Sequence, residues 1–178
     1  LKRENSELRR KTGQYELIGD SIVVQKLRSS INKIGPTNSR VLITGPSGSG
    51  KELVARALHK ISERASAPFV AINAAILEPE NMEYVLLGRI EEGDVMPGLL
   101  GQAHGGSLYI DEVGEMPLDT QGKIVRVLTE QKFVRIGGGP NVSVDIRVMS
   151  SSSRDLTKHI VKGVFREDLY HRLNVVPI

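Results

Sequence analysis

One stretch, Gly45-Pro46-Ser47-Gly48-Ser49-Gly50-Lys51-Glu52, constrains this chain more than any other, because an apolar run at 41–44 leads into it and an amphipathic pattern leads out. That context places glycines where backbone N–H groups turn inward without obstruction by Cβ, at the positive end of a helix, with one ammonium in reach. A phosphate chain needs that combination. Gly45, Gly48 and Gly50 permit the loop, Pro46, Ser47 and Ser49 fill it, Lys51 is its cation, and Leu53 begins the apolar face of the helix behind it. The pattern G-x-x-x-x-G-K ordinarily continues with Ser or Thr as a Mg2+ ligand. Glu52 stands there instead, so Glu52 or a water takes the metal position, or the metal binds less tightly than usual.

Elsewhere strands and helices alternate. Short apolar runs recur at 41–44, 69–72, 108–110, 146–149 and 175–178, which predicts five strands. Ser21 is suited to cap a helix whose apolar positions Val23, Leu27, Ile31 and Ile34 are spaced three to four residues apart, and Gly35-Pro36 ends it. Leu53, Val54, Ala57, Leu58 and Ile61 share one helical face, as do Ile124, Val127 and Leu128. Strands interleaved with helices imply right-handed crossovers, hence an α/β fold with a five-stranded parallel sheet and helices on both faces. Residues 133–136 and 142–144, joined by Gly137-Gly138-Gly139-Pro140, read as an inserted hairpin.

A second chemical signal lies in Ser107-Leu108-Tyr109-Ile110-Asp111-Glu112, a strand ending on two adjacent carboxylates. With a phosphate loop upstream, Asp111 is placed to hold Mg2+ and Glu112 to polarise a water attacking the terminal phosphate. Asn73 ends the preceding strand, where a parallel sheet presents ligand-facing residues, and either hydrogen-bonds Glu112 or caps the next loop. Arg166 and Arg172 sit at the two ends of a late helix. They either pair with Glu167 and Asp168 or reach a phosphate bound by a neighbouring subunit.

Composition excludes several classes. There is no Cys, and His59, His104, His159 and His171 lack the close spacing of a zinc site. No apolar run approaches the roughly 20 residues that span a membrane. The cytoplasm is the expected compartment. A net charge of +3, from 24 basic and 21 acidic residues, is too near balance to predict direct nucleic-acid binding by this segment. Residues 1–13 begin with a charged stretch in which Leu1 and Leu8 are one heptad apart, and read as an exposed helical linker; the folded unit is expected over 14–178. A final strand with nothing after it suggests a fragment of a longer polypeptide.

Together these residues resemble the central AAA+ domain, a P-loop NTPase, of the bacterial enhancer-binding proteins that activate sigma-54 polymerase. The most specific stretches are LIGDS at 17–21, GPSGSGKE at 45–52, GGSLYIDEVGEMPLDTQGKIVRVL at 105–128 and FREDLYHRLNVVPI at 165–178. Glu after the loop lysine is that family's own variant. The resemblance implies ATP and Mg2+ as cofactors and hydrolysis between self-associated subunits, as a dimer or ring. It makes Lys51 the Walker A lysine, Asp111 and Glu112 the Walker B pair, and Asn73 the restraint on the catalytic glutamate. Arg166 and Arg172 become interface arginines, and Ile18 with Gly19 the adenine contact. It further implies a receiver domain upstream, with DNA bound by a separate domain; the family's helical lid is absent from this sequence. Two departures stand out. The polymerase-contacting GAFTGA string is missing, replaced by a shorter stretch at 88–98, which puts remodelling of sigma-54 polymerase in doubt. Ser153 replaces the sensor asparagine, and a hydroxyl reaches less far than an amide. An intact core without GAFTGA most resembles the NtrX type of response regulator, associated with nitrogen and redox control. An ATPase and a non-motor ATP-binding regulatory module both remain open.

Overall fold

The computed structural model describes residues 17–178; the predicted linker at 1–13 lies outside the described residues. Helix α1 (Ile22–Ile34) starts as its sequence predicts, with the Ser21 hydroxyl accepting from the Val24 amide at 3.3 Å. Strand β1 (Val41–Thr44) then runs into the glycine loop and helix α2 (Lys51–Lys60). Next come β2 (Phe69–Asn73), α3 (Pro79–Leu87), a hairpin of β3 (Gly88–Glu91) and β4 (Asp94–Pro97), the short α4 (Leu99–Gln102), and β5 (Ser107–Asp111). The chain continues through α5 (Leu118–Glu130), β6 (Lys132–Phe133), β7 (Val142–Ser143), β8 (Arg147–Ser152), α6 (Leu156–Val161), α7 (Glu167–Leu173) and β9 (Val176–Pro177).

Five strands form one parallel sheet in the order β2-β5-β8-β1-β9, which is the predicted α/β architecture. Alternation divides its core into two. Val41, Ile43, Tyr109 and Met149 face α1 and α2, where they meet Ile31, Val54, Ala55 and Leu58. Leu42, Ile72, Leu108, Ile110 and Val148 face the other way, onto Met82, Ile124, Val127, Leu128, Leu169 and Leu173. Each such side chain contributes about 2 kcal/mol on burial, so the central strands are held from both faces.

Arg147, at the start of β8, is 1% exposed. Its guanidinium donates to the carbonyls of Ser39 (3.0 Å), Gly35 (2.8 Å) and Ile34 (3.3 Å), satisfying the C-terminal end of α1 and tying that helix to the sheet. Burial is the first cause that lowers its pKa, and the charge of Arg64 adds to it.

The inserted hairpin is shorter than predicted. Only Lys132–Phe133 and Val142–Ser143 pair, because Ile136 turns away to bond a different partner. Its amide donates to the Gly88 carbonyl at 3.0 Å and its carbonyl accepts from Ile90 at 2.8 Å. That partner is the β3–β4 hairpin, which the sequence reading did not anticipate. It turns on Glu92 and Gly93, both with positive φ (52° and 92°), the conformation that two-residue hairpin turns favour. Among the described residues, no helix is long and apolar enough to cross a membrane.

Candidate phosphate-binding cleft

The loop after β1 is shaped by its glycines. Gly48 and Gly50 hold φ of 77° and 89°, and Gly50 is the N-cap of α2. A Cβ on Gly45 would stand 2.9 Å from the Ser49 hydroxyl, and the Ser49 amide donates to the Pro46 carbonyl at 3.2 Å. Lys51 follows at the first position of α2, 8% exposed. Its ammonium donates to the carbonyls of Gly45 and Pro46, both at 3.0 Å, and lies 3.5 Å from a carboxylate oxygen of Glu112.

The carboxylates arrive on β5. The Asp111 carboxylate accepts from the Tyr109 hydroxyl (3.0 Å), the Ser151 hydroxyl and the Asn73 amide (3.3 Å). Burial, more than the nearby carboxylate, pushes the Tyr109 phenol well above its ordinary pKa and keeps it a donor. Glu112 leaves the strand in the left-handed region (φ 52°), with its amide donating to Ser151 Oγ at 3.2 Å. Its Oε2 accepts from both the amide (3.0 Å) and the hydroxyl (2.9 Å) of Ser153.

These groups open on a cleft of about 640 Å³, within the usual range for a small-molecule site. Ser47, Gly48, Gly50, Lys51, Asn73, Asp111 and Glu112 all line it, so the ends of three strands of the sheet, β1, β2 and β5, deliver the predicted residues to one place. Gly45 and Pro46 face a second cavity on the other side of the loop, and Leu53 is half-buried behind Gly50.

Three expectations change. Asn73 does not reach Glu112: its amide nitrogen goes to Asp111 and its amide oxygen accepts from Ala75 at 2.9 Å, because the parallel register sets it beside Asp111. Glu52 lines the cleft, but its carboxylate takes an i,i+4 ion pair with Arg56 at 2.6 Å, so it does not stand free as a metal ligand. Ile18 is 89% exposed and neither it nor Gly19 lines the cleft, since the 17–20 segment lies along α1. Arg166 and Arg172 do not line this cleft, which their expected role at a neighbouring subunit's phosphate does not require, and Arg166 makes the alternative contact, bidentate with Asp168 (3.0 and 2.8 Å), which raises its pKa. The sequence reading missed Glu115 and Arg154, paired at 3.2 Å on the rim. Their only signal was position, just beyond the ends of β5 and β8.

The sequence pattern of the sigma-54 interaction domain matches residues 17–178. The chain belongs to that family. Among sigma-54 interaction domain proteins, it is 53% identical to the nitrogen assimilation regulatory protein NtrX of Azorhizobium caulinodans over all of this chain and 40% of that protein. It is 46% identical to the DNA-binding transcriptional regulator NtrC of Proteus hauseri over 92% of this chain and 36% of that one. The chain thus spans about two fifths of the length of these curated relatives. A crystal structure of NtrX from Brucella abortus in complex with ATP superposes with a TM-score of 0.90 at 54% identity, covering 99% of this chain and 40% of that one. Its ADP complex superposes with a TM-score of 0.92. The P-loop NTPase domain of a sigma-54 activator from E. coli shares the fold, with a TM-score of 0.61 at 19% identity.

Proposed function

We propose that this chain binds ATP with Mg2+ and hydrolyses it where subunits meet, as the nucleotide-binding core of a cytoplasmic bacterial response regulator of the NtrX type. The observation that carries this reading is the convergence of Lys51, Asp111 and Glu112 on a glycine loop at a helix N-terminus. The NtrX structures solved with ATP and with ADP support it, as does the match to the sigma-54 interaction domain over residues 17–178.

Triphosphate oxygens would accept from the loop amides and the first turn of α2, and Lys51 would exchange the Gly45 and Pro46 carbonyls for them. Glu112 would take a proton from a water whose oxygen bonds the γ-phosphorus while the β–γ bridging bond breaks, leaving ADP with that electron pair. Asp111 brings a carboxylate to the cleft beside the glycine loop, which suits Mg2+, an ion commonly held by one or two carboxylates plus phosphate and water. Asp111 would hold it, and when bound it would neutralise charge on the β- and γ-oxygens. Arg166 and Arg172 would serve a neighbouring subunit's phosphate, which calls for self-association.

The wider arrangement follows the same reading: residues 1–13 as a helical connector from a receiver domain, residues 14–178 as the AAA+ core, and DNA bound by another domain. The β3–β4 hairpin, where GAFTGA would stand, favours a regulatory or assembly role over remodelling of sigma-54 polymerase. Calorimetry with ATP-Mg2+ on the parent and on Lys51→Ala tests the core of this. The variant should bind about a hundredfold more weakly, since the phosphates lose their main cation. Equal affinities would refute the reading.

A further inference from the structure

We infer that Ser153 is the positioning residue for Glu112, standing where the family's sensor asparagine is replaced, and that it acts on the carboxylate instead of on bound phosphate. This rests on the nucleotide reading above. A carboxylate oxygen has two lone-pair directions, and both of those on Glu112 Oε2 are taken, by the Ser153 amide at 3.0 Å and hydroxyl at 2.9 Å. Among the described residues Oε1 faces only the Lys51 ammonium, at 3.5 Å. When Lys51 turns to phosphate, Oε1 is released and Oε2 is still held. One oxygen, in one orientation, is then left to receive the proton of water.

The end of β8 is built for this. Ser151 belongs to β8 and Ser153 follows just past its end, and both hydroxyls reach the neighbouring end of β5, where Ile110 is in register with Ser150. Ser151 meets Asp111 and the Glu112 amide, and Ser153 meets the Glu112 side chain. Asn73, the alternative holder, is already committed to Asp111 and Ala75. The restraint on the base has thus moved from the end of β2 to the end of β8. A Ser153 hydroxyl that bonded phosphate would instead leave Oε2 with the Ser153 amide as its one donor, in a cleft where Glu112 is mostly covered.

The test is ATP and ADP affinity by calorimetry together with phosphate release at saturating ATP, on the full-length protein, for the parent, Ser153→Ala, Ser153→Thr and the double variant with Glu112→Gln. Ser153→Ala should lower kcat about tenfold, the backbone donor being retained, with ATP affinity within about twofold of the parent. Ser153→Thr should restore most of the loss, and in the Glu112→Gln background Ser153→Ala should have no further effect. An unchanged or raised kcat would overturn the inference. So would a loss of ATP affinity greater than that for ADP, which marks a phosphate contact, or a parent that binds ATP without releasing phosphate. A parent that binds no ATP would instead overturn the nucleotide reading, and this inference with it.

Discussion

In the cleft a cation and an anion of the site neutralise each other, and Glu112→Gln should expose their competition with phosphate as tighter ATP binding. At 3.5 Å the Lys51–Glu112 attraction is about 5 kcal/mol for an effective dielectric of about 20. Most of it disappears in the balance: Lys51 exchanges one anion for another, and Glu112 keeps its Ser153 donors, so we take about 1 kcal/mol as the net penalty on phosphate. The amide of Gln still offers an oxygen to Ser153 but neither holds Lys51 by charge nor repels the γ-phosphate. ATP affinity should rise about fivefold, with a smaller gain for ADP, while phosphate release falls by a factor of about 10² to 10⁴ because the base is gone. Calorimetry at low and high salt, paired with a phosphate-release assay, reads both quantities. An ATP affinity equal to or weaker than the parent's would refute the charge argument.

Two further outcomes concern the frame around the cleft. Arg147→Met should leave the carbonyls of Gly35 and Ser39 without their donor and cost about 3 kcal/mol, seen in urea unfolding and as a fall of about 9 °C in Tm; a change under about 1 kcal/mol would show that water replaces the guanidinium. Asp168 is held below the ordinary carboxylate range, chiefly by its hydrogen bond from Arg166. Its contribution is therefore fully present above about pH 4 and lost as pH falls through its lower folded value, so Asp168→Asn should show a shallower loss of stability with acid than the parent in a pH series of unfolding curves.

Much of this was legible in the sequence because periodicity and local chemistry coincide. The apolar runs mark all five sheet strands, with shifts of a few residues at their ends, and the glycine loop lies between strand and helix as its spacing requires. What depended on side-chain reach was not legible. Asn73 and Glu112 stand at neighbouring strand ends, but only the parallel register shows that the amide faces Asp111. Ser153 looked like a deficit, a short hydroxyl where an amide would reach farther. The fold shows that it needs little reach, because the left-handed turn at Glu112 brings the carboxylate to it. The β3–β4 hairpin escaped notice since four-residue strands carry too little alternation to separate from loop, and its turn bears Glu-Gly instead of the stronger Asn-Gly signal.

That hairpin and the 132–143 excursion are zipped together through Gly88, Ile90 and Ile136, with Gly137 tucked so near the Ile90 carbonyl that a Cβ there would lie 2.5 Å from it. The two therefore make a single appendage with two roots, one in α3 and α4 and the other in α5 and β8: a push on either tip is shared between both, and neither can be lengthened or redesigned while leaving the other as it is.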